Sequence, residues 1–238
     1  MPDGPVVAVD FDAQIFGTPF FRVTDPAHPG LEAAWRSVVA SQPEAWADAR
    51  SGVEERHVHH RLGALGFRRI CTQVTFAHTG PWPTVPEPGV GVAATLGLSD
   101  QELDEHAAAF DFTRFAQDPR MDRARADHWI RTWMANSLSG RREVVVLDGD
   151  FVTFRAGPAG TALEVDLVSV ARSRQGRGHG GRLMRHLLHH AGTVGASEVL
   201  VTTEAENVPA QRLYSRSGFE LRLARACFHA APVQEEAT

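Results

Sequence analysis

The chain reads as a mixed α/β (α+β) protein in two parts. The smaller is an N-terminal α/β domain over residues 1–91, and the larger, residues 92–238, is a mixed central sheet flanked by helices. Three observations predict this. Short β-branched or aromatic runs alternate with stretches of helical spacing along the whole sequence. Residues 79–91 carry Pro81, Pro83, Pro86 and Pro88 with three glycines, a composition that feeds neither a helix nor a sheet interior. Beyond that boundary the order is two helices, three strands, then helix, strand, helix and strand, which requires a mixed sheet with helices packed on it.

Taken in order, residues 6–9 and 20–23 have strand composition, and Leu31, Ala34, Trp35, Val38 and Val39 mark a helix over 31–40. A strand is expected at 45–49, despite its helix-favouring residues. A helix over 53–65 should stop at Gly66, with a strand following over 69–77. Ser99 ahead of Asp100 and Glu102 predicts a capped helix start, and the helix runs to about residue 110. A second helix covers 122–138, with Trp129, Ile130 and Trp133 as its apolar stripe and Gly140 as its stop. Strands follow at 143–147, 151–154 and 162–170, a helix at 178–191, a strand at 198–203, a helix at 209–215 and a final strand at 219–228. One internal echo stands out: RLGALGF at 61–67 against RLYSRSGF at 212–219, each between a helix and a strand.

Composition narrows the function. With 43% apolar and 22% charged residues the chain is an ordinary globular one, not a disordered or collagen-like one. A net charge of −5 lacks the field that non-specific nucleic-acid binding needs, so no nucleic acid is expected as a partner. All 24 cationic residues are arginine, which excludes lysine-based catalysis. Two cysteines, Cys71 and Cys227, make neither a disulfide framework nor a four-thiolate zinc site and suggest a reducing compartment. With no apolar run near 20 residues and no basic residue before Arg22, neither a membrane partner nor a secretory signal is expected; the expected location is cytoplasmic.

The chemistry concentrates at VSVARSRQGRGHGG, residues 168–181. A strand enters Gln175, Gly176, Arg177, Gly178, His179 and Gly180, and a helix begins at once. Glycines let backbone N–H groups approach a ligand, and a helix start adds unpaired N–H groups at the positive end of its dipole, together an anion site. Between Leu167 and Ser197 there is no acid, but there are Arg172, Arg174, Arg177, Arg182 and Arg185. There is no Gly-Lys-Ser/Thr, so this is no Walker loop, and its late position does not suit a dinucleotide fingerprint. Downstream, TEAENVPAQRLYSRSGF holds Tyr214, the single tyrosine against thirteen phenylalanines.

The two segments together resemble the GNAT superfamily of acyl-coenzyme A N-acyltransferases. The family's Arg/Gln-x-x-Gly-x-Gly/Ala loop matches Gln175, Gly178 and Gly180. Its later Asn-x-x-Ala-x-x-Leu-Tyr-x-x-x-Gly-Phe matches Asn207, Ala210, Leu213, Tyr214, Gly218 and Phe219 without a gap. The resemblance spans about residues 98–228. A narrower one, to the dTDP-fucosamine N-acetyltransferase group, rests on FDAQIFG at 11–17, LGF with the following VTF, FTRF with Asp118, and WMANSL at 133–138. It leaves 1–91 as a degenerate GNAT-like half or the wall of an acceptor site.

The resemblance implies a GNAT-type sheet and direct acyl transfer from acetyl-coenzyme A, as cosubstrate and without a metal, to the amine of a small molecule. Gln175 to Gly180 would hold the pyrophosphate, with Arg172, Arg174 and Arg177 for its charge. Val168 and Val170 would present backbone to the pantetheine arm, the Val170 N–H facing the oxyanion. Tyr214 matches the general acid that protonates the leaving thiolate, and Asn207 a contact to the donor arm. Glu164 and Asp166, on the face of Val168 and Val170 by parity, and Glu204 are the general-base candidates; Asp12 is the candidate acceptor contact. A nucleotide-linked amino sugar is the favoured acceptor. The alternatives are a natural-product acyltransferase fed by an acyl carrier protein and a non-catalytic acyl-coenzyme A-binding module; a homodimer stays open. His186, His189 and His190, and likewise His57, His59 and His60, are read as solvated helix faces, not metal ligands.

Overall fold

In the computed structural model, which describes residues 4–157 and 160–232, the alternation of strands and helices is that of a mixed α/β protein. Its elements are β1 (Val6–Ala8), α1 (Asp10–Phe16), β2 (Phe20–Val23), α2 (Leu31–Ser41), β3 (Trp46–Gly52), α3 (Arg56–Ala64), β4 (Arg68–His78), β5 (Gly91–Ala93), α4 (Asp100–Ala107), α5 (Arg123–Asn136), β6 (Glu143–Leu147), β7 (Asp150–Ala156), β8 (Ala162–Ser169), α6 (His179–Thr193), β9 (Glu198–Glu204), α7 (Val208–Arg216) and β10 (Glu220–Ala230). The helix α1 and the short strand β5 were not expected. The Ser99 capping box forms as read: its hydroxyl accepts from the Glu102 N–H and the Glu102 carboxylate accepts from the Ser99 N–H. On α5 the buried stripe is Ala126, Trp129, Ile130 and Met134, and Trp133 is only half-buried, since a straight 3.6-residue period carries the face to 134.

Two compact units divide the chain. One comprises the described residues of Met1–Gln73, Arg114–Trp129 and Ala224–Thr238; the other is built from Val74–Thr113 and Ile130–Leu223. The boundary falls inside β4 and inside β10. In the first unit the strand order is β1-β2-β3-β10, with β2 and β3 parallel and β10 antiparallel to β3. Its core is Val23, Leu31, Trp35, Ala47, Ala49, Val58, Leu62, Phe67, Ala226, Phe228 and Ala230. The second unit runs β4-β9-β8-β7-β6-β5, with β8 and β9 parallel and β5 to β8 antiparallel neighbours. The apolar face of α6, Leu183, Met184, Leu187, Leu188 and Ala191, is buried.

The sequence echo has a structural counterpart. β3, α3 and β4 recur as β9, α7 and β10 with identical lengths, their starts at 46, 56 and 68 against 198, 208 and 220, a constant 152 positions. Both helices end alike. Gly66 and Gly218 adopt left-handed φ of 86° and 82°, and the next residue's N–H returns to the carbonyl five back, Phe67 to Leu62 and Phe219 to Tyr214, each at 3.0 Å. These bonds align Leu62 with Tyr214 and Arg61 with Leu213, one position away from where the two Leu-bearing strings align by eye. The C-terminal part of each repeat's last strand belongs to the unit of the other: β10 pairs with β3 over residues 225–230, and β4 neighbours β9, where the Thr75 and Thr202 hydroxyls meet at 2.8 Å.

Candidate active site

Within the second unit, β8 and β9 pair over Ala162–Val165 against Glu198–Val201, and the ladder stops there while β8 continues to Ser169 and β9 to Glu204. Two parallel strands that part in this way leave main-chain groups for a ligand. Val168 lies on that stretch of β8, and Val170 follows its end; the Val170 carbonyl accepts from Gln175 Nε2 at 3.1 Å. A 3-10 turn at Arg172–Arg174 then leads through Gln175 and Gly176 to Gly178, the N-cap of α6.

The loop glycines divide by task. Gly176 and Gly178 have φ of 75° and 85°, and a Cβ built on either meets nothing within 4 Å, so both are open as well as conformationally demanding. A Cβ on Gly180 would instead lie 3.2 Å from Leu213 Cδ2, so that glycine serves the approach of α6 to α7. Gly180 and Leu213 come one from each motif. The open glycines, the start of a fifteen-residue helix and the parted strand ends suit an extended ligand with a diphosphate.

Charge is arranged differently from the acid-free stretch read in the sequence. Arg172 pairs with Asp111 at 3.0 Å, Arg174 with buried Asp150 at 2.8 Å, and Arg182 and Arg185 share Glu87. Acids distant in sequence thus engage four of the five arginines; Arg177 is exposed. His179, the first residue of α6, places Nδ1 2.6 Å from Asp150 Oδ2. Nothing local in the sequence marked Asp150, Glu87 or Asp111, because a window around the loop does not contain them.

Tyr214 is buried on α7, its ring near Phe76 and Phe219. Burial, with the Glu204 carboxylate adding to it, pushes the phenol well above its ordinary range, so it stays protonated through neutral pH. Asn207 is the N-cap of α7: its Oδ1 accepts from the Ala210 N–H at 3.2 Å and its Nδ2 donates to Thr203 Oγ1 at 3.1 Å. Its motif position therefore has a structural duty.

The carboxylates on β8 are ion-paired. Glu164 sits 2.6 Å from Arg155, and Asp166 accepts from Ser137 Oγ at 2.9 Å and Arg142 Nε at 3.2 Å. Asp166 is also the extra residue of a β-bulge, since Leu167 faces Thr153 and Val165 faces Phe154, which interrupts strict alternation from Glu164 to Val168. In the first unit, Asp12 is buried; its Oδ1 accepts from Trp129 Nε1 at 2.7 Å, and its Oδ2 faces Arg114 at 3.5 Å and Arg22 at 3.8 Å.

The expected solvated histidine faces need correction. His186 is buried, and His189 Nδ1 lies 2.9 Å from the Pro83 carbonyl oxygen, because this side of α6 is covered by the chain at Trp82 and Pro83. On α3, His57 and His60 are exposed, while His59 contacts the Gly52 carbonyl and the Phe228 ring. Among the described residues no group of three or more metal-ligating side chains occurs, and no helix is long and apolar enough to cross a membrane.

A parallel strand pair that parts before a glycine-opened helix marks this α/β unit. Residues 102–219 match the Acetyltransferase (GNAT) family, and the chain carries a domain of that family. It is similar to the spore coat polysaccharide biosynthesis protein SpsD of Bacillus subtilis, 28% identical over 67% of this chain and 53% of that protein. It is also similar to the mycothiol acetyltransferase of Catenulispora acidiphila, 30% identical over 62% of this chain and 49% of that protein. The chain spans about half the length of these curated relatives. Among solved structures, a GCN5-related N-acetyltransferase from Sphaerobacter thermophilus shares the fold with a TM-score of 0.61, at 15% identity, over 95% of this chain and 76% of the other.

Proposed function

We propose that the protein transfers an acetyl or other acyl group from acyl-coenzyme A to the amine of a small molecule, by direct attack of the amine on the thioester. The observation that carries this is the placement of the parted β8 and β9, the open Gly176 and Gly178 and the single buried tyrosine in one unit. Gln175, Gly176, Arg177, Gly178, His179 and Gly180 form the diphosphate cradle, and Val168 and Val170 offer main chain to the pantetheine arm. The Val170 N–H takes the developing oxyanion. The C–S bond breaks as the tetrahedral intermediate collapses, and Tyr214 gives its proton to the departing thiolate. The buried phenol carries its proton at neutral pH. Glu164, Asp166 and Glu204 stay the candidates for taking the ammonium proton, directly or through water, with Glu164 and Asp166 held by Arg155 and Arg142.

The favoured acceptor is a nucleotide-linked amino sugar. Two things support it: the FDAQIFG string at 11–17, and a relative whose name places it in polysaccharide biosynthesis. The test is mass-spectrometric detection of acyl transfer from acetyl-coenzyme A to a panel of amino-sugar nucleotides, simple polyamines and peptides. Products confined to polyamines or peptides sink the amino-sugar assignment alone. Absence of transfer, with a carrier-protein arm as the working donor, sinks the coenzyme A assignment.

A further inference from the structure

We propose that Asp150 is the positioning residue of the donor site: its carboxylate, beneath the loop, holds that loop in the shape that receives a diphosphate. This rests on acyl-coenzyme A being the donor. Asp150 is fully buried at the start of β7. It is set there by a two-residue hairpin, Asp148 and Gly149, both at positive φ, with Leu147 and Asp150 paired across it. The side chain is thereby anchored on a rigid element.

From that point it grips the loop at three places. Oδ1 accepts from the Ala171 N–H at 2.9 Å, where the chain leaves the β8 region, and from Arg174 Nε and Nη2 at 3.0 and 2.8 Å, in the middle. Oδ2 accepts from His179 Nδ1 at 2.6 Å, at the first residue of α6. The three points bracket residues 175–178, whose two open glycines have no side chains to fix their own path. A fourth group stands behind: His106 Nε2 is 4.0 Å from Oδ1, and its Nδ1 is 2.7 Å from Ser169 Oγ.

Burial alone would push this carboxyl up, but the hydrogen bonds from Arg174, the Ala171 N–H and His179 outweigh it and hold it below the usual carboxylate range. A bare carboxylate under a phosphate site would repel the ligand. Here Arg174 and His179 stand against it, and its contribution is geometric, as with groups that orient the ligands of a metal. Remove the charge and both side chains lose the partner that directs them, while the loop loses entry and exit anchors together.

The test compares acetyl-coenzyme A with S-acetyl-N-acetylcysteamine, a thioester lacking the diphosphate, in wild type and in Asp150→Asn. The expected result is a fall of about 10- to 100-fold in the ratio of kcat/KM for acetyl-coenzyme A over the truncated donor, mostly through KM for acetyl-coenzyme A. His179→Gln, which keeps an N–H donor on a differently shaped side chain, should move the ratio the same way by less. If Asp150→Asn does not fold, Arg174→Ala removes the middle grip and is read by the same ratio. An unchanged ratio, or equal losses on both donors, overturns the positioning role. A wild type that does not distinguish the donors overturns the coenzyme A reading itself, and this proposal with it.

Discussion

The two repeats put the same three elements to different uses. In the second, Tyr214 occupies the helix position whose carbonyl closes the turn, Leu213 packs on Gly180, and the loop before α6 is left open by Gly176 and Gly178. In the first, Leu62 takes the tyrosine's place and is wholly buried in the core. Arg61 takes the place of Leu213 and donates to the Ala27 and Pro29 carbonyls, while the Gly30 N–H is taken by His28 Nδ1. The connection before α2 therefore spends its polar groups on itself. The shared β-α-β frame is neutral toward chemistry: one copy carries a phenol beside an open glycine loop, and the other a core leucine and an arginine that fills its connection.

The largest effect should separate the two equivalent positions. Tyr214→Phe keeps the ring and its packing but removes the proton, and steady-state kinetics should show kcat lower by about 10²–10⁴-fold with donor affinity nearly constant. Leu62→Ala should instead leave kcat within about twofold while unfolding experiments show a loss of about 2–5 kcal/mol. A Tyr214→Phe enzyme within about threefold of wild type would reduce Tyr214 to packing and remove the distinction.

Next comes the loop. Gly178→Glu adds a side chain and a negative charge at φ 85°, where L-residues are strained, and calorimetry should find coenzyme A binding weakened by roughly 100-fold or more. Undiminished binding would remove the loop from the donor site.

Acid sensitivity should be graded. Burial keeps His78, His106 and His186 in the second unit, and His229 in the first, below the ordinary imidazole pKa. The unfolded chain then binds more protons than the folded one below about pH 6.5, so stability falls as pH drops through that range. Asp48, Asp118 and Asp150, held below the usual carboxyl range, add a second loss below about pH 4. A melting temperature flat from pH 7.5 to 5 would contradict the first step. The smallest effect belongs to Arg61→Ala: donor kinetics unaltered and a stability loss of about 1 kcal/mol, measured by urea titration.

Much of this was legible before the structure. Periodicity and glycine stops placed most helices and strands within a residue or two, because an apolar face and a left-handed C-terminal residue are local properties. The loop and Tyr214 were legible for the same reason: a gapless motif is a string of neighbours. Asp150 was not, since its meaning comes from three partners 21 to 29 positions away. The engagement of the loop arginines was invisible for the mirrored reason, and so was the bulge at Asp166, which only the partner strand reveals. The α1 helix, seven residues with a left-handed Gly17 at its end, is too short for a period to register.

The exchange of last strands sets the order in which this chain can become a protein. In synthesis from the N-terminus, β1, β2 and β3 emerge well before β10, the strand that covers the edge of β3 and the last of the described elements. The first unit must wait, with β3 unpaired on that side, until residues 225–230 have left the ribosome. A nascent chain or proteolytic fragment ending before residue 220 would be an incomplete first unit with an adhesive edge, so truncations that spare every residue of the donor loop should still aggregate.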